Sequence, residues 1–453
     1  MEEPTSTIAA ELVALGDRSA RGIATAISRS IRGGHLEAGQ KLPTVRALAK
    51  ALGTSPTTVS EGWQLLSRMG VIEARGRLGT FVRSDHRPLG SRRYRTITQR
   101  ASAYRLDLST GVPDPDLLPD MRRALERVSR RNLTTSYLDD PILPALEEFL
   151  RSAWPFPADV MTVVDGAMDA LDRILTSVVR LGDLVAVEDP AFPPLLDLLD
   201  HLGAVPIAVD VDEDGMMPSS LCAALAQKPT AVVVQPRAHN PTGASMTSAR
   251  AHALADLLLS HPDTVVVEDD HSGEIAWADP VSIGEWLPDR TVHIRSFSKS
   301  HGPDLRLAAV GGSGAVVAQL VERRVLGPGW SSRLLQSVLL EMLRDAGTRR
   351  HIADAREEYR RRRDLLGEAF VQHGIAHRTA DGINAWIPVE DERAALLSLA
   401  VRGVGVAPGT PFLLDHRRGP HVRVTVGLVG DGHERLAADL AAAATEPALR
   451  PRR

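Results

Sequence analysis

Ile23, Ile27 and Ile31 recur at four-residue steps among polar neighbours, which predicts a helix that Gly33-Gly34 stops. Thr44 suits the cap of a second helix, Val45 to about Leu52, closed at Gly53. Thr54-Ser55-Pro56 opens a third, with the proline in its first turn. Val59, Trp63, Leu66 and Met69 line one face of that third helix. Thr57, Thr58, Ser60, Glu61 and Gln64 line the other. Two short helices joined at a glycine predict a helix-turn-helix, whose second helix would enter the major groove. Val71-Ile-Glu-Ala-Arg75-Gly-Arg77-Leu-Gly79-Thr-Phe-Val82 then reads as a β-hairpin with two arginines at its tip.

From Ser84 to Arg100 the periodicity lapses into a polar stretch, read as a linker of roughly 20 residues. After Leu106 the pattern changes. Met161–Val164, Leu184–Val187, Ala231–Val234, Thr264–Val267 and Val292–Ile294 are short apolar runs separated by helix-length segments, which predicts a parallel α/β sheet. The expected layout is a small helical head over 17–84, a linker over 85–106 and an α/β body over 107–450.

Composition adds exclusions. The chain has 453 residues, 43% of them hydrophobic, with no run of about 18 apolar residues. The acidic start, Met1-Glu-Glu, is unlike a secretory leader. One cysteine, Cys222, excludes a disulfide framework and a cysteine-built zinc site; a cytoplasmic protein without a metal is expected. The net charge of −4 conceals a division. Residues 1–105 carry 17 Lys+Arg and 8 Asp+Glu, a balance of +9, and the remainder carries −13. A basic head on an acidic body fits a polyanion partner.

Candidate chemistry gathers at strand ends. Ser296-Phe-Ser-Lys299-Ser-His-Gly-Pro-Asp-Leu-Arg306 follows an apolar strand, where α/β sheets bind ligands. A lysine there, its pKa lowered by burial, can form an imine, and Ser296 and Arg306 can hold a phosphate. Alone, Lys299 would pass for an ordinary surface lysine. It is accompanied by Asp269 at the end of Val265-Val-Val-Glu-Asp, by Asn240 in His-Asn-Pro-Thr-Gly243, and by Asp165-Gly166-Ala167 at a strand-to-helix turn that can seat an anion. Phe192, in Glu188-Asp-Pro-Ala-Phe, can lay a ring on a flat cofactor.

The head resembles the GntR winged helix-turn-helix. Gly-His-Leu-Glu-Ala-Gly-Gln-Lys-Leu-Pro-Thr-Val-Arg46, Leu-Gly-Thr-Ser-Pro-Thr-Thr-Val59 and Gly-Arg-Leu-Gly-Thr-Phe-Val carry the likeness over some 65 residues. The resemblance implies that Thr44, Arg46, Ser55, Thr57, Thr58, Arg77, Gly79 and Thr80 face DNA. It has Arg where Pro56 stands. A lone threonine in such a place is otherwise a cap.

From about Asp107 to Leu440 the motif order resembles the fold-type I, aspartate-aminotransferase-like proteins that bind pyridoxal 5'-phosphate (PLP). That likeness implies Lys299 as the Schiff-base lysine and catalytic amine, Asp269 as partner of the pyridine nitrogen, and Asn240 as donor to the ring hydroxyl. It implies Ser296, Arg306, Gly166 and Ala167 around the phosphate, Phe192 on the ring, and Tyr137 reaching the phosphate from a partner subunit. Arg423 would take a substrate or effector carboxylate, assisted by Asn384. Three positions depart from the pattern. His271 replaces a tyrosine that donates to the ring oxygen, a bond that a neutral imidazole can also donate. Ile142 replaces a glycine, and Asp165 stands where Ser or Thr precedes the phosphate glycine.

Joined, the two halves resemble the MocR subgroup of GntR regulators. A head-to-tail homodimer that binds operator DNA, carries PLP and responds to the cofactor or to an amino-acid or amine effector is what that implies. The alternative is a working PLP-dependent aminotransferase acting on an amino acid; a third reading is a dimer scaffold that has lost PLP.

Overall fold

The computed structural model describes residues 8, 10–11, 17–32, 35–37, 39–68, 71–82, 92–98, 104–130, 136, 139–375 and 380–447. The chain divides into two compact units: residues 1–91 with the segments 180–183 and 197–205, and residues 92–179, 184–196 and 206–453.

In the first unit, α1 (Ala20–Arg32), α2 (Val45–Leu52) and α3 (Pro56–Arg68) precede an antiparallel pair, β1 (Ile72–Ala74) and β2 (Thr80–Val82). The capping chemistry explains the helix starts. Oγ1 of Thr44 accepts from the Ala47 amide at 3.2 Å, and Oγ of Ser55 accepts from the Thr58 amide at 3.1 Å. Gly53 ends α2 at φ +61°, a backbone that glycine adopts without a Cβ penalty. Ile23, Ile27, Leu48, Val59, Trp63, Leu66, Ile72 and Val82 form one buried core, so three helices and the hairpin share a single apolar centre. Met69 lies outside the described residues.

The second unit opens with a helix that the sequence pattern does not announce. Within the polar stretch read as a linker, α4 (Arg92–Thr98) buries Ile97 against Ala407 and Phe412. Tyr94 and Ile97 alone, in two turns of otherwise polar residues, are too sparse a signal for periodicity to register. β3 (Leu106–Leu108) follows.

The large sheet contains β4 (Val160–Val164), β5 (Leu184–Asp189), β6 (Val205–Asp212), β7 (Gly215–Met216), β8 (Ala231–Val234), β9 (Val265–Asp270), β10 (Thr291–Ser296) and β11 (Ala308–Gly312), in the order β4-β11-β10-β9-β8-β5-β6-β7. β5, β8, β9 and β10 are mutually parallel, as the apolar runs predict. β11 runs antiparallel between β10 and β4. Its sequence, Ala-Ala-Val-Gly-Gly, lacks the β-branched bulk by which the other strands are recognised. Helices cover the sheet, and two apolar clusters, around Val163-Phe297-Leu339 and around Val232-Leu254-Val266, fill the space between.

A smaller sheet, β12 (Ala385–Pro388), β13 (Val404–Pro408) and β14 (His421–Val424) with β3, is ordered β12-β14-β13-β3. It packs with part of the long helix Ala346–Gln372 around Phe370, Ile387 and Leu399. No helix among the described residues is long and apolar enough to cross a membrane.

Candidate functional site

In the head, Arg46 is exposed on the first turn of α2, and Thr57 is exposed on the first turn of α3. Thr44, Ser55 and Thr58 are engaged in capping; the Ser55 and Thr58 hydroxyls lie 2.8 Å apart. A direct contact from these three to DNA would therefore share an oxygen already hydrogen-bonded to the helix. Gly79 sits at φ +108°, and a Cβ there would come within 2.8 Å of Cε of Lys41, so the hairpin tip requires glycine. Thr80 begins β2 and its carbonyl accepts from the Leu42 amide at 2.8 Å. Arg75 is tied to Glu73 and lies over the Phe81 ring, its Cζ 4.9 Å from the centroid. The side chain of Arg77 lies outside the described residues.

In the body, the C-terminal ends of β5, β8, β9 and β10 converge, as expected of an α/β ligand site. Lys299 follows β10. Its Nζ lies 2.7 Å from Nδ1 of His271, which follows β9. Nε2 of His271 lies 3.1 Å from the Ala238 carbonyl oxygen. Burial brings the Lys299 amine down to about 8, against the attraction of Asp269 and Asp270 and with the help of the Arg423 charge. An amine near neutrality is a nucleophile that a distant surface lysine is not.

Asp269, at the end of β9, is buried. Its Oδ2 accepts from Nε2 of Gln235 at 2.9 Å, while Oδ1 has no hydrogen-bond partner among the described residues. Gln235 is the organiser that sequence reading missed. Its Oε1 accepts from the Asn240 amide at 2.8 Å, and its own amide donates to Oε2 of Glu188 at the same distance. One side chain thus fixes Asp269 and the turn bearing Asn240 together. The signal available was a polar residue terminating an all-apolar strand. Glu188, pushed up to about 8 by burial, and His239, brought down to about 3 by burial, complete this cluster, with 3.4 Å between Oε2 and Nε2. Neighbouring Asp270 behaves oppositely: burial resists its charge, but Arg237, at 2.6 Å, and His293 outweigh that and hold it at about 2.

At the anion seat, Gly166 precedes the helix Ala167–Val178 at φ +101°, and a Cβ on it would lie 3.2 Å from Nη2 of Arg306. That same nitrogen donates to the Asp165 carbonyl at 3.4 Å. Asp165 itself turns toward the buried Arg324, whose Nη2 is 3.9 Å from its Oδ2, which offsets a carboxylate beside an anion. Ser296 is buried at the end of β10, its Oγ accepting from the Ser298 amide at 3.3 Å. Phe192 follows β5 and is half-buried. Tyr137 lies outside the described residues.

Arg423, on β14, is buried against the Phe412 ring with 5.3 Å from Cζ to the centroid, donates to the Ser109 carbonyl, and reaches Oδ1 of Asn240 at 3.5 Å. Gly111 leaves room for it, since a Cβ there would sit 2.7 Å from Nη1. Asn384 is buried, directly before β12, where Ala385 pairs with Val424; its Oδ1 has no partner among the described residues. The chain thus brings Arg423 and Asn240 together.

These residues fit PLP. The unpartnered Oδ1 of Asp269 suits a protonated ring nitrogen, the Gly166–Arg306 turn suits a phosphate, and Lys299 suits an aldehyde. A fold-type I body of this kind, joined to a winged helix-turn-helix, defines a class: a regulator built on an aminotransferase framework.

Comparison with known proteins supplies the family. Residues 105–440 match the family "Aminotransferase class I and II", and residues 19–82 match "Bacterial regulatory proteins, gntR family". The chain is 36% identical over 435 residues to the vitamin B6 salvage pathway transcriptional repressor PtsJ of Salmonella typhimurium, covering 93% of this chain and 98% of that one. It is 28% identical to the HTH-type transcriptional regulator TauR of Rhodobacter capsulatus, covering 85% and 88%. The fold resembles that of Pyrococcus horikoshii kynurenine aminotransferase at a TM-score of 0.69 and 22% identity, covering 76% and 91%. The chain belongs to the GntR/MocR-type transcriptional regulators, whose aminotransferase-like domain implies PLP as cofactor.

The buried carboxylate gives a testable sign. Burial pushes Asp269 up to about 6 from its ordinary 3.8, against Gln235 and Lys299. The folded, cofactor-free chain therefore binds that proton more tightly than the unfolded chain. The stability this contributes is full below pH ~4 and lost as pH rises through ~6. Asp269→Asn is expected to raise the Tm of cofactor-free protein near pH 8 and to have little effect near pH 4. It is expected to weaken PLP retention by roughly 10- to 100-fold, because a hydrogen bond to a charged group contributes ~1.5–3 kcal/mol. Thermal unfolding at the two pH values and a PLP titration read both effects.

Proposed function

We propose that this regulator is a homodimer in which occupancy of the Lys299 site sets operator affinity, with PLP itself the signal. The observation that carries the reading is the joining, in one chain, of a half-buried amine in contact with His271 to a head whose Arg46 is exposed. The similarity to a protein named as a vitamin B6 salvage repressor supports the choice of signal. Arg46, Thr57 and Arg77 are assigned to DNA, with Thr44, Ser55, Thr58, Gly79 and Thr80 shaping the surface that presents them. Lys299, Asp269, Asn240, Ser296, Gly166, Ala167, Arg306 and Phe192 are assigned to the cofactor, and Tyr137 to a partner's site. When bound, PLP supplies an electron-withdrawing ring. Arg423 and Asn384 hold a carboxylate beside it. Ligand alters DNA affinity only by the difference in its affinity for the two arrangements of the protein.

The test is a titration of promoter DNA with full-length protein, with and without PLP, alongside the solution mass by light scattering. A dimer whose DNA affinity moves severalfold with PLP supports the reading. Equal affinities in both conditions overturn it. A second reading, transamination, is favoured by the buried Arg423 beside Asn240. Amino-acid-dependent loss of the PLP absorbance, restored by an added 2-oxo acid and repeated over many turnovers, would establish it.

A further inference from the structure

We infer that His271 takes a proton from Lys299 when that amine captures an aldehyde, rather than donating a hydrogen bond to the captured ring. The inference rests on the reading of Lys299 as the PLP-binding amine. It deepens that reading by assigning the base that opens the site to its signal.

The warrant is a tautomer. Nε2 of His271 lies 3.1 Å from the carbonyl oxygen of Ala238. A carbonyl only accepts, so Nε2 carries the ring's proton. Nδ1 of the neutral ring then keeps its lone pair. That lone pair faces Nζ of Lys299 at 2.7 Å and Oγ of Ser272 at 3.3 Å. An ammonium only donates and a hydroxyl can donate, so all three contacts agree on one protonation state. The other tautomer would set an N–H against an ammonium and leave a carbonyl facing a bare ring nitrogen.

The surroundings keep the ring neutral. Burial first, then the Lys299 charge and His239, hold it well below its ordinary 6.5, and the Asp270 carboxylate opposes them. Part of that depression is the neighbouring ammonium itself. As Lys299 gives up its proton, the repulsion that disfavours an imidazolium disappears, so the ring's proton affinity rises at the moment it is called on.

The step balances. Nδ1 takes one of the three ammonium hydrogens, and the freed electron pair on Nζ forms a bond to the aldehyde carbon. The two remaining amine hydrogens leave with the aldehyde oxygen as water, which forms the C=N bond. The proton on Nδ1 returns to that nitrogen. Net, an ammonium and an aldehyde give a protonated imine and water, and no oxidant or reductant is needed.

This reverses the role expected of position 271 from the sequence. A phenol at that place donates to the ring oxygen; the imidazole, committed through Nε2 to Ala238, accepts. Fast capture and release is what a sensor of the aldehyde needs.

The experiment measures the rate at which absorbance of the lysine-bound cofactor develops when PLP is mixed with cofactor-free, full-length protein. His271→Ala is expected to slow capture by ~100-fold, within the range of general base catalysis. Millimolar imidazole should restore much of that rate and leave wild type unchanged. His271→Gln, which accepts a hydrogen bond but cannot hold the proton, should be as slow as His271→Ala and should keep promoter binding as a mark of folding. Wild-type rates in both variants, or no response of His271→Ala to imidazole, overturn the assignment to His271 while leaving Lys299 as the capturing amine. If wild type forms no borohydride-trapped adduct, the reading of Lys299 falls, and this inference with it.

Discussion

Lys299→Ala is expected to abolish the borohydride-trapped adduct with PLP, while promoter binding by the cofactor-free form persists. The prediction follows from placement. Lys299 is half-buried, bonded to His271, and its charge acts on Asp269. Ser296, Arg306 and Gly166 remain in the variant, so the phosphate end can still bind without a covalent link. The stabilisation that accompanies binding is expected to shrink accordingly. For wild type, ligand at 100 times its Kd adds ~2.7 kcal/mol to the unfolding free energy, visible as a rise in Tm. In Lys299→Ala the same PLP concentration should give a markedly smaller rise. A borohydride-stable adduct in that variant would show that another amine holds the cofactor.

Arg46→Ala is the complementary expectation: promoter affinity falls by about 10- to 100-fold at fixed salt, and the PLP absorbance is untouched. A charge-assisted bond to phosphate or base is worth ~1.5–3 kcal/mol, which sets the range. Loss of a phosphate contact should also reduce the slope of log affinity against log salt by about 0.9. Arg46 is a cleaner probe than Thr44, because Thr44→Ala removes the α2 cap as well as any DNA contact. An unchanged affinity and slope would remove Arg46 from the interface. A changed PLP spectrum would mean that the substitution acts on more than the head.

What the sequence disclosed depended on how local each signal is. The caps of α2 and α3 and the four parallel central strands are written in spacing and residue type, because each follows from neighbours a few positions apart. So is the placing of Lys299 and Asp269 at strand ends. What escaped is carried by contacts across the fold. Gln235 carries no local mark of its role, yet it joins Asp269, Asn240 and Glu188. β11 escaped because Ala and Gly carry no strand signal of their own, and its pairing is decided by β10 and β4. The hydrogen-bonding sense of His271 depends on a carbonyl 33 residues away. The same limit applies to α4, which buries Ile97 against Ala407 and Phe412.

That last helix shares a neighbour with Arg423. Phe412 touches Ile97 of α4 on one side and underlies the Arg423 guanidinium on another. A carboxylate drawing the guanidinium off its ring would change the surface on which Ile97 is seated. Occupancy would then be felt at α4, through Phe412.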